Sequence, residues 1–139
     1  MDEKLNVTEE VAISYVKEFA EYHRDKTISI EKVKEDYPDV IEAVMLGLLT
    51  FDEDQTPRYT LKRPLKGEGS SVLKATVEFK TRIPVRDLER ITKGINPEKE
   101  AVKFGNVMRA YIIKEPIEIF DKFGKFDTRV IDQVSSVFQ

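Results

Sequence analysis

A chain of 139 residues, 40% hydrophobic and 35% charged, fits one folded domain with a real core and is not compositionally disordered. The absence of cysteine excludes disulfides, thiolate nucleophiles and thiolate metal sites, and suits a reducing cytoplasm. The net charge of −3 divides unevenly: residues 1–57 hold 6 Lys+Arg against 15 Asp+Glu, residues 58–93 hold 10 against 4, and residues 94–139 hold 7 of each.

Helix signals come first in the chain. Thr8 is placed to N-cap a helix from Glu9 to about Asp25, with Glu9 and Glu10 where the helix dipole favours negative charge. Its apolar stripe reads Val11, Tyr15, Phe19 and Tyr22, at spacings of four and three. A second helix starts after Ser29, with Ile30 and Val33 beginning its stripe. Pro38 either kinks it or restarts it, with Asp36 or Tyr37 as cap. Val40, Ile41, Val44 and Met45 continue the apolar face, and Gly47 is a natural stop.

Leu48-Leu49-Thr50-Phe51 and the strand Arg58–Lys62 flank the acidic turn Asp52–Pro57, a hairpin pattern. The stretch Leu65–Ser71 contains Gly67 and Gly69 and is expected to be a mobile loop. From Val72 to Lys80 the residues alternate, with Leu73, Ala75, Val77 and Phe79 inward and Lys74, Thr76, Glu78 and Lys80 toward water. The helices that follow are expected to cover that inward face.

The first of these runs from about Val85 to Lys93, with Leu88 and Ile91 inward and Gly94 as its stop. Asn96 as N-cap, Pro97 at the first helical position and Glu98 in the first turn announce the next, whose face is Ala101, Phe104, Val107, Met108, Tyr111 and Ile112. Pro116 opens a short turn carrying Ile117, Ile119 and Phe120. Asp127 is expected to cap a last helix bearing Val130, Val134, Val137 and Phe138, with Phe126 and Ile131 as a hydrophobic staple. The pattern predicts a single α+β domain over residues 1–139, with a small antiparallel sheet of two to four strands packed with short helices. An acidic helical segment (8–47) precedes a β-rich segment (48–82) and a helical segment (83–139).

Reactive chemistry is sparse. Asp52, Asp54 and Thr56 mimic the first ligands of a calcium loop, but Pro57 stands where the loop needs glycine and Arg63 where it needs glutamate. Gly67-Glu68-Gly69-Ser70-Ser71 lacks the Gly-Lys-Ser/Thr ending of a phosphate loop and precedes a strand rather than a helix. His23 is the sole histidine, without a sequence neighbour to build a triad or metal site, and reads as a boundary residue. No catalytic, cofactor-binding or metal-binding residues are expected.

Arg82, Arg86, Arg90 and Lys93 form a candidate basic face. The interleaved Asp87 and Glu89 and the overall acidity argue against nucleic acid as its ligand. No apolar run reaches the roughly 20 residues that span a bilayer, and Met1-Asp2-Glu3-Lys4 has no signal-peptide character. A balance of −9 in the head and +6 in the middle implies attraction within one molecule, self-association between molecules, or solvated faces.

Three stretches carry a family resemblance: Tyr59-Thr60-Leu61-Lys62-Arg63-Pro64-Leu65, then Glu78-Phe79-Lys80-Thr81-Arg82-Ile83-Pro84-Val85-Arg86-Asp87-Leu88, then Pro116-Ile117-Glu118-Ile119-Phe120-Asp121-Lys122-Phe123 leading into Asp127 and Val134–Phe138. Over about residues 57–138 the chain resembles the tail assembly chaperones of contractile-tailed bacteriophages. The resemblance implies a non-enzymatic protein of the infected host cell's cytoplasm that binds a tail structural protein, the tape measure or a tube subunit. It implies an adaptable apolar surface, for which Met108, Tyr111, Ile112, Ile119, Phe120, Phe123 and Phe138 are the candidates. The alternative is a structural component retained in the virion, such as a tail, baseplate or connector protein.

Overall fold

The Thr8 hydroxyl accepts a hydrogen bond from the Val11 amide at 3.3 Å, and with Glu9 and Glu10 in the first turn it starts α1, Glu9–Arg24. Asp25, at φ 53°, ends that helix in the left-handed region. The structure is a computed structural model that describes residues 7–66 and 72–138, without the side chains of Val72 and Leu73. The expected loop glycines and the inward placement of Leu73 lie outside the described residues.

Ser29 caps α2 (Ile30–Asp36) through the Lys32 amide at 3.1 Å. Pro38 restarts the chain as α3 (Pro38–Met45), with Tyr37 as the residue between. Gly47, at φ 77°, turns the chain into the sheet, a position where a Cβ would be strained. Strands β1 (Leu49–Phe51), β2 (Pro57–Lys66) and β3 (Val72–Glu78) form one antiparallel sheet in the order β1-β2-β3. Leu49 pairs with Tyr59, and Tyr59 with Val77, so these three side chains share the inner face and are buried. The register between β2 and β3 shifts twice between Thr60 and Lys66. Then come α4 (Val85–Ile91), α5 (Ala101–Ile112), a 3-10 turn (Ile117–Asp121) and α6 (Lys125–Ser136). The fold is α+β, with six helices and a three-stranded antiparallel sheet among the described residues.

The core differs from expectation in who builds it. α1 packs on α2 and α3, α3 on α6 and β1, and α6 on β2, while α5 packs on α6 and α4 on α5. The inner face of the sheet is therefore covered mainly by α3 and α6, and α4 buries no residue fully; Leu88 and Ile91 are half-buried. Val77 and Phe79 are buried as expected, and Ala75 is half-buried.

Three local readings are corrected. On α1 the buried stripe is Ala12, Ile13, Val16, Phe19 and Ala20, whereas Val11, Tyr15 and Tyr22 face water. Residues of both stripes are apolar, and the one with small side chains lets α2 and α3 approach closely. Asn96 does cap, accepting from the amides of Glu98 (2.9 Å) and Lys99 (3.2 Å), but the turn it starts breaks at Glu100, at φ −123° and ψ 46°. α5 therefore begins only at Ala101, and its buried residues are Met108, Ala110 and Ile112 rather than the whole predicted face. Asp127 is not the cap of α6: Gly124 holds that position, and Asp127 is buried inside the first turn.

Candidate binding surface

The chemistry-bearing side chains are largely engaged with one another. The Asp127 carboxylate accepts from the Tyr59 hydroxyl and from the amides of Lys62 (2.8 Å) and Arg63 (3.1 Å). This node ties the first turn of α6 to β2, close to the register shift, and satisfies a charge that is 1% exposed. Burial, and then the hydrogen bond to Asp127, push the Tyr59 phenol well above the ordinary tyrosine range.

A second pair joins α4 to α5. The Tyr111 hydroxyl donates to Asp87, which holds that carboxyl below its ordinary value and raises the Tyr111 phenol. The Lys80 ammonium lies 4.2 Å from the centre of the Tyr111 ring.

Four members of the C-terminal groove expected from the sequence are interior instead. Met108, Ile112, Ile119 and Phe123 are buried, with α5 packed on α6 and on the 3-10 turn. Tyr111, Phe120 and Phe138 are half-buried and already partnered. Tyr111 holds Asp87, Phe120 lies 6.0 Å from Phe123 with the Arg109 guanidinium 5.9 Å away, and Phe138 packs edge-on to Phe19 and His23. These seven residues do not form a continuous open groove.

His23 occupies the boundary position expected of it. Its Nε2 is 2.5 Å from the Gln55 carbonyl, which can only accept, so Nε2 carries the proton and α1 is tied to the acidic turn. Its ring sits edge-on to Phe19 at 5.0 Å and to Phe138 at 4.8 Å. In the turn itself the Arg58 guanidinium Nε donates to both Asp52 oxygens, at 2.9 and 3.0 Å, so an internal cation takes the place a metal would need. Among the described residues no group of three or more His, Asp and Glu is arranged to hold a metal.

The basic face is exposed but shorter than predicted. α4 begins at Val85, so Arg82 lies in the irregular stretch before it and Lys93 in the turn after it, leaving Arg86 and Arg90 on the helix. Arg90 approaches Asp87 at 3.8 Å.

An open, partly apolar cleft lies nearer the start of the chain. A cleft of about 460 Å³ between α1, the end of α3 and β1 is lined by Val7, Tyr15, Glu18, Val44, Leu49 and Phe51, with Asp52 and Gln55 at its polar end. Tyr15, 48% exposed, forms its rim, and Phe51 is held by stacking on Phe19 at 4.5 Å. The outer stripe of α1 continues from this rim through Tyr22, 62% exposed. Sequence reasoning placed Val11, Tyr15 and Tyr22 in the core. The signal that would have moved them outward is that α1 carries two apolar stripes, and a helix packed on one side buries only one.

Among the described residues no helix is long and apolar enough to cross a membrane. No protein-family model, no curated protein and no solved structure matches this chain.

Proposed function

We propose that the chain is a non-enzymatic assembly chaperone of a tailed-phage tail, which binds an apolar segment of the tape measure protein in the cleft between α1 and β1. The cleft carries the proposal. It offers an apolar floor from Val44, Leu49 and Phe51, an aromatic rim from Tyr15, and an acidic edge from Glu18. An exposed tyrosine at the edge of an apolar cleft provides large contact area at small entropic cost on binding. The likeness of residues 57–138 to tail assembly chaperones supplies the partner class, and the surface that would serve moves from the C-terminal helices to α1.

Co-expression with the tape measure protein of the same phage tests the reading. The wild type should keep that protein soluble and co-purify with it. Tyr15→Lys, at an exposed position, should keep the melting temperature and lose co-purification. Purified particles should lack the chain. If particles contain it at fixed copy number and the tape measure never co-purifies, the protein is a structural tail component instead.

A further inference from the structure

The acidic head and the basic middle meet through the pairing of β1 with β2, but among the described residues their charged side chains rarely pair with one another. Among the described residues, the ion pair between Asp52 and Arg58, inside one hairpin turn, is the only one joining residues 7–57 to residues 58–93. The other head acids that are paired bind Lys17, Lys32 or Arg129. Among the described residues, ion pairing with the basic middle thus engages one acid of the head.

Two helix faces, one in each region, combine charged residues with exposed apolar ones. On α1, Val11, Tyr15 and Tyr22 are 39%, 48% and 62% exposed and fall on one line along the helix. Glu18 lies within that line, and Glu10 and Asp25 lie beside it, all exposed. At 100° per residue Val11, Tyr15, Glu18 and Tyr22 fall within about 60° of the helix circumference, away from the buried stripe. The cations of this helix are already engaged: Lys17 pairs with Glu21 at 2.9 Å, and Arg24 donates to the Tyr37 hydroxyl at 3.1 Å. On α4, Val85 is 70% exposed and stands beside Arg86, with Arg90 a turn further on, Arg82 before the helix and Lys93 after it. Glu89 is the one exposed acid on that helix.

We infer that the chain associates with copies of itself, the acidic apolar face of α1 on one copy docking on the basic face of α4 on the next. Each face presents what the other lacks: aromatic surface ringed by carboxylates, and guanidinium groups around a small aliphatic residue. Arginine stacks on tyrosine as well as pairing with carboxylate, so Arg86 and Arg90 can use both kinds of group that α1 offers. Whether the contact closes as a two-fold pair or repeats along a chain, every interface joins one acidic face to one basic face. Tyr15 also rims the cleft described above, so a docked copy and a bound tail segment exclude each other. The inference itself does not depend on that binding role.

Sedimentation velocity of the full chain tests it. The wild type should show concentration-dependent association at about 0.1 M salt, where the Debye length is roughly 10 Å, and return toward monomer at about 1 M, where it is roughly 3 Å. Arg86→Glu with Arg90→Glu makes both faces acidic, and Glu10→Lys with Glu18→Lys makes both basic. Each double variant alone should remain monomeric at low salt, with circular dichroism and melting like the wild type. Mixing the two in equal amounts should restore association, since each then offers the other a face of opposite charge. A wild type that is monomeric throughout, variants that associate like the wild type, or a mixture that stays monomeric would each overturn the inference. The mixing result does not follow from a general loss of folding or solubility.

Discussion

Replacing Asp127 by alanine removes the acceptor for three donors at once: the Tyr59 hydroxyl and the amides of Lys62 and Arg63. The three losses are not equal. Lys62 and Arg63 are exposed residues on β2, so their amides can turn to water at small cost. Tyr59 is 1% exposed, and its hydroxyl is left without a partner, a penalty of about 1–3 kcal/mol. Losing charge-assisted bonds from two amides adds about 1–2 kcal/mol, after allowing for the relief of no longer burying a carboxylate. The expected loss is therefore about 2–5 kcal/mol, read from urea denaturation with an unchanged m-value. Tyr59→Phe alone should cost less, about 1 kcal/mol, because the two amides still satisfy Asp127. In the Asp127→Ala background the same Tyr59→Phe change should be neutral or stabilising, since it deletes the orphaned hydroxyl. That sign change is the decisive observation. If Tyr59→Phe costs the same in both backgrounds, the two side chains are not coupled and the node is not what joins α6 to β2.

Phe79 is buried at the end of the inner face of the sheet, and Phe79→Ala should cost about 3–5 kcal/mol by thermal or chemical melting; a loss below about 1 kcal/mol would refute its core placement. The Gln133 side-chain oxygen accepts from the amides of Asp39 (3.0 Å) and Val40 (3.2 Å), so Gln133→Ala should cost about 0.5–2 kcal/mol, the usual range for losing a helix N-cap. Glu21 and Asp87 are both held below their ordinary values of 4.5 and 3.8, Glu21 chiefly by the Ile28 amide and Asp87 chiefly by the Tyr111 hydroxyl. A depressed carboxyl stabilises the fold above its unfolded value and loses that stabilisation as the pH falls through its folded one. The melting temperature should therefore fall as the pH drops below about 4, and Tyr111→Phe with Glu21→Gln should flatten that acid limb relative to the wild type.

Local signals carried the elements well. Thr8, Ser29, Pro38 and Gly47 each act within a turn of their own position, and each marks the boundary it was expected to mark. The alternation along β3 held at Val77 and Phe79 because a half-buried strand has only two faces to choose between. What was not legible depended on partners distant in sequence. Asp127 has the composition of an N-cap, and only the approach of β2, 65 residues away at Lys62, draws its carboxylate inward. The apolar residues from Met108 to Phe123 looked too numerous for one short helix to bury, yet Met108, Ile112, Ile113, Ile119 and Phe123 are buried, in a segment where α5 packs on α6 and on the 3-10 turn. The outward face of α1 was missed for the same reason. Periodicity finds an apolar stripe but does not say which of two stripes meets the core, so Tyr15 and Tyr22 were assigned inward when they stand at the surface.

The long-range polar contacts converge on α6, and this has a consequence for how the candidate surface is held. α3 has no side-chain cap of its own, and Gln133 of α6 supplies one from 94 residues away, while Arg129 pairs with Asp39 at 3.2 Å. Asp127, on the same helix, fixes β2. One helix thus anchors both α3 and the sheet, and those two elements carry Val44, Leu49 and Phe51, the floor of the α1–β1 cleft. Val44 and Leu49 of the floor are buried on elements that α6 ties down by hydrogen bonds, whereas the rim at Tyr15 is an exposed side chain on the outer side of α1. A fixed apolar floor with an adjustable aromatic rim suits repeated, modest-affinity capture of varied apolar segments: floor contacts need no ordering on binding, and the rim can adapt at low entropic cost.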